Sequence, residues 1–263
     1  MGRKQVPCLP LILLPWLLTA AVNASARPAV DAAVVLMIDA SGSTGRATNA
    51  FNQQVAGFGA AIASRQVQAA IRAGFHGRIA IAAAVWSASP TDRPQLCTGW
   101  TLIATPADGE AFGDELRDRC TYLGGHTNAS DAIEFGARLL EALPYETATR
   151  VIDVSTNGVT TDRRLQRIRN DAVASGITVN CLAFEPRPGD LRKRVYHHCE
   201  QDIAGGPFSF AMAMNGQNFQ ESLVRKLAQE IAQEQRRLSE PTDQYRGHRP
   251  PGVRALTLLR SRD

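Results

Sequence analysis

The 263-residue sequence lacks the motifs of several common enzyme and metal-site classes. It contains no Cys-x-x-Cys pair, which argues against a structural zinc site. It contains neither a P-loop lysine nor a Gly-x-Ser-x-Gly elbow, so it lacks the signatures of nucleotide hydrolysis and of α/β-hydrolase chemistry. The formal net charge is only +4, and nothing indicates sequence-specific nucleic-acid binding. The function must therefore be inferred from other residues.

The sequence also lacks an uninterrupted apolar run long enough for a comfortable membrane span. Its longest candidate, residues 8–22, contains two prolines, follows Arg3 and Lys4, and precedes small residues that end at Ala24 and Ala26. This pattern is typical of a cleaved signal peptide, with an uncleaved anchor as the alternative. We predict a signal peptide at 1–26 and a bacterial protein exported to the periplasm or the medium, with no stable membrane span after cleavage.

Cysteine is scarce, with five residues in the whole sequence. Cys8 lies in the predicted signal peptide, which leaves Cys97, Cys120, Cys181 and Cys199. An even number in an exported chain indicates disulfides, although four cysteines permit three pairings. We favour Cys97–Cys120 and Cys181–Cys199, because each pair spans one short connection between neighbouring elements.

What the sequence does contain is an alternation of apolar strands and amphipathic helices. The run 33–38 is continuously apolar, as expected of a strand covered on both faces, and Phe51, Val55, Phe58 and Ile62 follow it at helical spacing. Further strands are predicted at 78–87, 99–103, 150–155, 176–184 and 208–213, with helices between them. This order predicts a three-layer, doubly wound α/β fold: a mostly parallel sheet with one antiparallel edge strand and helices on both faces.

Polar residues follow the first predicted strand with alternate spacing. Asp39, Ser41 and Ser43 form an Asp-x-Ser-x-Ser pattern, and alternate residues of an extended loop point the same way. Ligands of such sheets bind beyond the carboxyl ends of the strands, where this loop is expected. One carboxylate and two hydroxyls are hard oxygen donors, suited to magnesium, calcium or manganese.

These residues resemble the metal-ion-dependent adhesion site of the von Willebrand factor A domain. The segment "GGHTNASDAI" is similar to that family's second loop, with Thr127 at the matching position, and Thr156, Asn157 and Gly158 match its third loop. The resemblance implies such a domain over 30–238. The arginine-containing residues that follow, 239–263, are predicted to form a weakly ordered basic tail. The strand sequences are similar to those of an uncharacterised bacterial exported branch of the family.

One residue departs from the family pattern. The third loop usually carries Thr-Asp-Gly, whereas this chain has Asn157, an amide without charge. Asp39 would then be the only matched carboxylate. The resemblance implies a divalent cation, magnesium first, held by Asp39, Ser41, Ser43, Thr127 and Asn157. It also implies that the site binds the cation weakly on its own, and that a carboxylate of a protein partner completes the coordination of the ion.

Two other functions compete with a metal-dependent, non-catalytic binding module. The first is a scaffold domain whose metal site has decayed, for which Asn157 is the argument. The second is a phosphatase of the haloacid-dehalogenase type, which also begins from an aspartate at a strand end. That chemistry requires a second carboxylate two residues later, where this chain has Ser41.

Overall fold

A computed structural model describes residues 27–45, 49–88, 93–185, 190–215, 221–228 and 231. The predicted signal peptide at 1–26 and the predicted tail at 239–263 lie outside these residues. Among the described residues, no helix has both the length and the apolar character needed to cross a membrane.

The predicted α/β architecture is confirmed. Six strands form one sheet in the order β3-β2-β1-β4-β5-β6, in which only the β2–β3 pair is antiparallel, so β3 is the antiparallel edge strand. The strands are β1 (Ala33–Asp39), β2 (Ile79–Trp86), β3 (Gln95–Ile103), β4 (Arg150–Thr156), β5 (Ile177–Glu185) and β6 (Ala211–Asn215).

Helices cover both faces of the sheet. They are α1 (Ala50–Ala63), α2 (Arg65–Arg72), α3 (Pro106–Arg119), α4 (Ala129–Glu141), α5 (Leu165–Ala174), α6 (Asp190–His198) and α7 (221–228). A 3₁₀ turn (Gly42–Thr44) follows β1, and a π-helical turn (Cys199–Ile203) follows α6.

The alternation of side chains along β1 divides the interior into two cores. Val34, Leu36 and Ile38 pack with α1, α2, α3 and α7, whereas the intervening β1 residues pack with α4, α5 and α6. Every β1 residue is buried, which is why this strand is apolar without interruption until Asp39.

Several element boundaries differ from the sequence prediction. The helical spacing from Phe51 to Ile62 lies within α1, which ends before Ser64. Ser64 has an extended backbone, and its side chain caps α2 by accepting a hydrogen bond from Val67 N (3.3 Å). Strand β3 is longer than the predicted 99–103, because its pairing with β2 continues to Gln95 opposite Val85. Strand β6 starts at Ala211 rather than Phe208.

The four cysteines form the two favoured pairs. Cys97–Cys120 joins β3 to the end of α3, and Cys181–Cys199 joins β5 to the π-helical turn. Each disulfide attaches one peripheral element to the rest of the fold.

Candidate metal centre

Three loops meet at the carboxyl edge of the sheet. The first follows β1 and contains the 3₁₀ turn, the second precedes α4, and the third follows β4, which pairs in parallel with β1. Asp39 is the last residue of β1, while Thr127 and Asn157 lie on the second and third loops. Parallel pairing thus brings residues more than a hundred positions apart to one edge.

The Asp39 carboxylate is the centre of this site and is fully buried. Its Oδ1 accepts a hydrogen bond from Ser41 N (2.8 Å), and its Oδ2 accepts bonds from Thr156 Oγ1 (3.1 Å) and Asn157 N (3.2 Å). Burial raises the pKa of Asp39 above its ordinary value, and these hydrogen bonds oppose the rise without cancelling it. No ion pair to Asp39 is formed by the described lysines, arginines or histidines.

The structure brings all five predicted ligand residues together. The hydroxyl oxygens of Ser41 and Ser43 are 3.2 Å apart, and Thr127 Oγ1 lies 3.5 Å from Ser41 Oγ. Ser43 Oγ donates to Asn157 Oδ1 at 2.5 Å. Hydroxyl, amide and carboxylate oxygens from three loops therefore form one polar network.

Close backbone approach between the loops depends on two glycines. A Cβ at Gly42 would lie 3.0 Å from the carbonyl oxygen of Gly125, to which Gly42 N donates a hydrogen bond (2.8 Å). A Cβ at Gly158 would lie 2.7 Å from Thr127 Oγ1, so the Thr127 side chain would have to move. The glycines beside Ser43 and Asn157 thus let the second loop contact both of its neighbours.

Two other buried polar residues, Gln54 and Ser155, hold the end of β1, and neither was predicted from the sequence. Gln54, on α1, donates to the carbonyl oxygen of Asp39 (3.3 Å) and accepts a bond from Ser155 Oγ (2.6 Å). The same Ser155 oxygen lies 3.3 Å from Asp39 N. Gln54 is fully buried beside an apolar helix stripe, and that position within a core helix is the only signal that could have identified it.

Asp162, four residues after Gly158, does not join the site. It forms an ion pair with Arg164 (2.9 Å), and Arg164 also contacts Asp131 (3.1 Å). Hydrogen bonding from Arg164 is the main reason that the pKa of Asp162 is lowered. The Asp162 carboxylate thus accepts hydrogen bonds from Arg164 and makes none to the five predicted ligands.

The adjacent histidines of α6, His197 and His198, differ in exposure. His197 is exposed, but the side chain of His198 is only 5% exposed and lies between Asp202 and the third loop. The alternation of the two side chains around the helix explains the difference, since adjacent helical residues face different directions.

The chemical type of the candidate ligand atoms suits a small, hard divalent cation. All candidate ligand atoms are oxygens, and a buried carboxylate without a cationic partner among the described residues would gain from a positive charge. The formal charge is low, however. No group of three or more His, Cys, Asp and Glu side chains placed to hold a metal occurs in the part of the chain that the structure describes.

Comparison with solved structures shows the fold. A pilus adhesin, SpaC, from Lactobacillus rhamnosus GG is similar over 80% of this chain and 32% of its own, with 14% identity and a TM-score of 0.57. The conserved hypothetical protein BatB from Bacteroides thetaiotaomicron is similar over 77% of this chain and 98% of its own, with 16% identity and a TM-score of 0.51.

A third similar structure is a mussel protein, proximal thread matrix protein 1 of the byssus. It is described with a zinc-occupied metal-ion-dependent adhesion site motif, and it is similar over 78% of this chain and 49% of its own, with 14% identity and a TM-score of 0.55. This chain therefore spans about a third of the SpaC chain and about half of the mussel protein.

Among curated proteins, none matches this chain significantly. The family model "Protein of unknown function (DUF1194)" matches residues 29–235, close to the predicted domain at 30–238. The chain therefore belongs to the family described as protein of unknown function DUF1194, and its fold is that of the von Willebrand factor A domains.

Proposed function

We propose that this protein is an exported, non-catalytic binding module that uses a divalent cation to capture an acidic group of a protein partner. The observation that carries the proposal is the fully buried carboxylate of Asp39, which lies beside a hydrogen-bonded cluster of four oxygen-bearing side chains and accepts bonds from the backbone N–H groups of two of them. Among the described residues it has no cationic partner. Asp39, Ser41, Ser43 and Thr127 would hold the ion, with Asn157 in the outer shell. The ion would supply a Lewis-acidic position for a partner's oxygen.

Charge balance favours an acidic partner. A divalent ion beside one carboxylate leaves a surplus positive charge at the rim, because Asn157 contributes only a dipole. Magnesium is the first candidate, since the donors are hard oxygens and magnesium retains waters that a partner can displace. Low ligand charge implies weak resting affinity, so ion and partner would bind cooperatively.

Three further observations support this proposal. The mussel protein, which has a similar fold, is described with a zinc-occupied metal-ion-dependent adhesion site motif, and this supports a divalent ion in the present chain. The two disulfides, together with the predicted signal peptide, support an oxidising compartment outside the cytoplasm. A non-catalytic role is supported by Ser41, which stands where a phosphatase of the haloacid-dehalogenase type would need an acid.

The first test is calorimetric titration of the purified protein with magnesium, calcium and manganese, repeated on Asp39→Ala. Saturating heat in the wild type that disappears in Asp39→Ala is the expected result. A second titration uses a short peptide with a terminal aspartate, and the same peptide with asparagine amide as its matched control. Binding of the acidic peptide only, and only before EDTA is added, would support capture through the ion.

A metal-free scaffold is the second candidate, and one contact favours it. Ser43 already satisfies Asn157 through their 2.5 Å hydrogen bond, so these two residues need no ion to be stable. No heat with any cation, and partner binding that is indifferent to EDTA, would establish the scaffold and reject the metal-dependent module.

A further inference from the structure

We propose that His198 and Asp202 position the third loop of the metal site through Thr160, and that protonation of His198 weakens cation binding. The coupling to cations rests on the proposed function, whereas the hydrogen-bond chain itself can be tested without any metal. Neither histidine nor Asp202 belongs to the predicted ligand set.

Thr160 is the residue that joins the second and third loops. It lies three residues after Asn157, and its hydroxyl accepts a hydrogen bond from Ala129 N at 2.9 Å. Ala129 begins α4, two residues after Thr127. Thr160 is buried, so its contacts fix the relative position of two loops that each supply a predicted ligand.

His198 holds Thr160 from the interior. Thr160 N donates to His198 Nε2 at 3.0 Å, so this ring nitrogen must carry a lone pair and no proton. The proton of the neutral ring then lies on Nδ1, which is 2.8 Å from Asp202 Oδ2. Asp202 thus selects the tautomer that can accept from the loop.

Asp202 is itself held as a carboxylate. Burial alone would raise its pKa, but hydrogen bonds from Gln166 (2.9 Å) and His198, and the positive charge of Arg169, together lower it. It therefore remains ionised well below neutral pH and stays available as the acceptor for His198 Nδ1.

Acidification would reverse the polarity of the contact with the loop. A second proton on His198 goes to Nε2, where it faces the N–H of Thr160, so two donors meet in a buried position and one hydrogen bond is lost. The loop must then move away from the ring. That movement displaces Asn157 and releases Ala129, which changes the geometry on two sides of the cation site.

The other charged groups near this chain of contacts have partners of their own. His197 faces outward and lies 3.5 Å from Glu200, while Asp162 pairs with Arg164. Arg169, from α5, acts on Asp202 rather than on the loop. From the third loop, only the backbone N–H of Thr160 is hydrogen-bonded to the His198 ring.

The metal-free test is nitrogen-15 NMR of the histidine side chains, with hydrogen exchange of the Thr160 amide, between pH 8 and pH 5. We expect the Nδ1-protonated tautomer of His198 at pH 8, and loss of Thr160 amide protection as the ring is protonated. His198→Ala should remove that protection at every pH. An Nε2-protonated tautomer at pH 8, or unchanged protection in His198→Ala, would overturn the proposal whether or not cations bind.

The metal-dependent test compares manganese affinity at pH 7.5 and pH 5.5 in three variants. His198→Gln keeps an oxygen that can accept from Thr160 N, but its side chain is not protonated on acidification. The loss of manganese affinity between pH 7.5 and pH 5.5 should therefore be about tenfold smaller in this variant than in the wild type. His198→Ala should bind about tenfold more weakly already at pH 7.5, and His197→Gln, the exposed control, should behave as wild type.

The two proposals fail in different ways. If manganese affinity depends on pH in His198→Gln as it does in the wild type, the pH coupling is wrong, although the proposal of cation binding is not affected. The expected tautomer and amide protection, combined with no cation binding in the wild type, would reject the proposed function and with it the coupling to cations.

Discussion

Replacing Asn157 by aspartate is expected to tighten divalent-cation binding at least tenfold. Asn157 Oδ1 lies 2.5 Å from Ser43 Oγ, and a ligating Ser43 oxygen would lie about 2.1 Å from magnesium. A carboxylate at position 157 would thus be about 4 to 5 Å from the ion. At that separation, an effective dielectric constant between 20 and 80 gives about 2 to 7 kcal/mol of attraction.

Part of this attraction is offset before the ion binds. Asn157 N lies 3.2 Å from Asp39 Oδ2, so a second carboxylate would repel one that is already fully buried. Repulsion of about 1 to 3 kcal/mol at about 5 Å destabilises the metal-free fold and raises both pKa values, so a proton must leave when the ion binds. Asn157→Asp should therefore bind cations more tightly and yet melt at a lower temperature without them.

Calorimetry with magnesium and manganese, paired with thermal unfolding in EDTA, measures both effects. Asn170→Asp adds the same charge on an exposed part of α5 and is the matched control, with affinity and melting temperature close to wild type. Unchanged or weaker cation affinity in Asn157→Asp would refute the reasoning, because the third loop would then not approach the ion.

Three further predictions concern the site and its support. Ser43→Ala should abolish cation binding in calorimetry and leave the melting temperature nearly unchanged, because Ser43 is exposed; unfolding would identify a structural role instead. Lys226→Met should lower the free energy of unfolding, measured by urea denaturation, by about 3 to 5 kcal/mol, because it leaves the buried carboxylate of Asp153 without its cationic partner; adding Asp153→Leu should recover most of the loss. Because the folded-state pKa of Asp39 is raised, the metal-free protein should lose stability as pH rises above the ordinary carboxyl pKa of about 4. Denaturation across this range should show a shallower loss in Asp39→Asn, and equal slopes would contradict the assignment.

The strands and the first loop could be predicted because their signals are local. Buried parallel strands are continuous apolar runs, and the change from Ile38 to Asp39 marks the point where β1 reaches the edge of the sheet. The convergence of Thr127 and Asn157 on that edge follows from parallel strand pairing and from the family resemblance. The distances within the network required the structure.

The contacts that support the site could not be predicted, because their partners are distant in the sequence. Thr160 and His198 are 38 residues apart, and neither lies in a motif. Gln54 looks like one polar residue beside an apolar helix stripe until Ser155 and the end of β1 surround it. A buried polar side chain is recognised only when the groups that satisfy it are known.

Two aspartates on neighbouring strands show why the charge at the candidate site matters. Asp153, on β4, and Asp39, at the end of β1, are both fully buried. Asp153 is paired with Lys226 of α7, which is also fully buried, so the fold neutralises that carboxylate internally. Asp39 receives only hydrogen bonds from the described residues, and those bonds do not prevent the rise in its pKa.

The fold neutralises the buried carboxylate of Asp153 with a lysine, and Asp39 differs from Asp153 in its position. Asp39 lies at the loop edge, with hydroxyls around it and Ser43 open to solvent, whereas Asp153 lies in the middle of the sheet. Its compensating charge can therefore come from solution, which is not possible for Asp153. Without a cationic partner among the described residues, the buried Asp39 carboxylate lowers the stability of the metal-free fold. A bound cation would restore that stability and so would favour the ordered arrangement of the three loops.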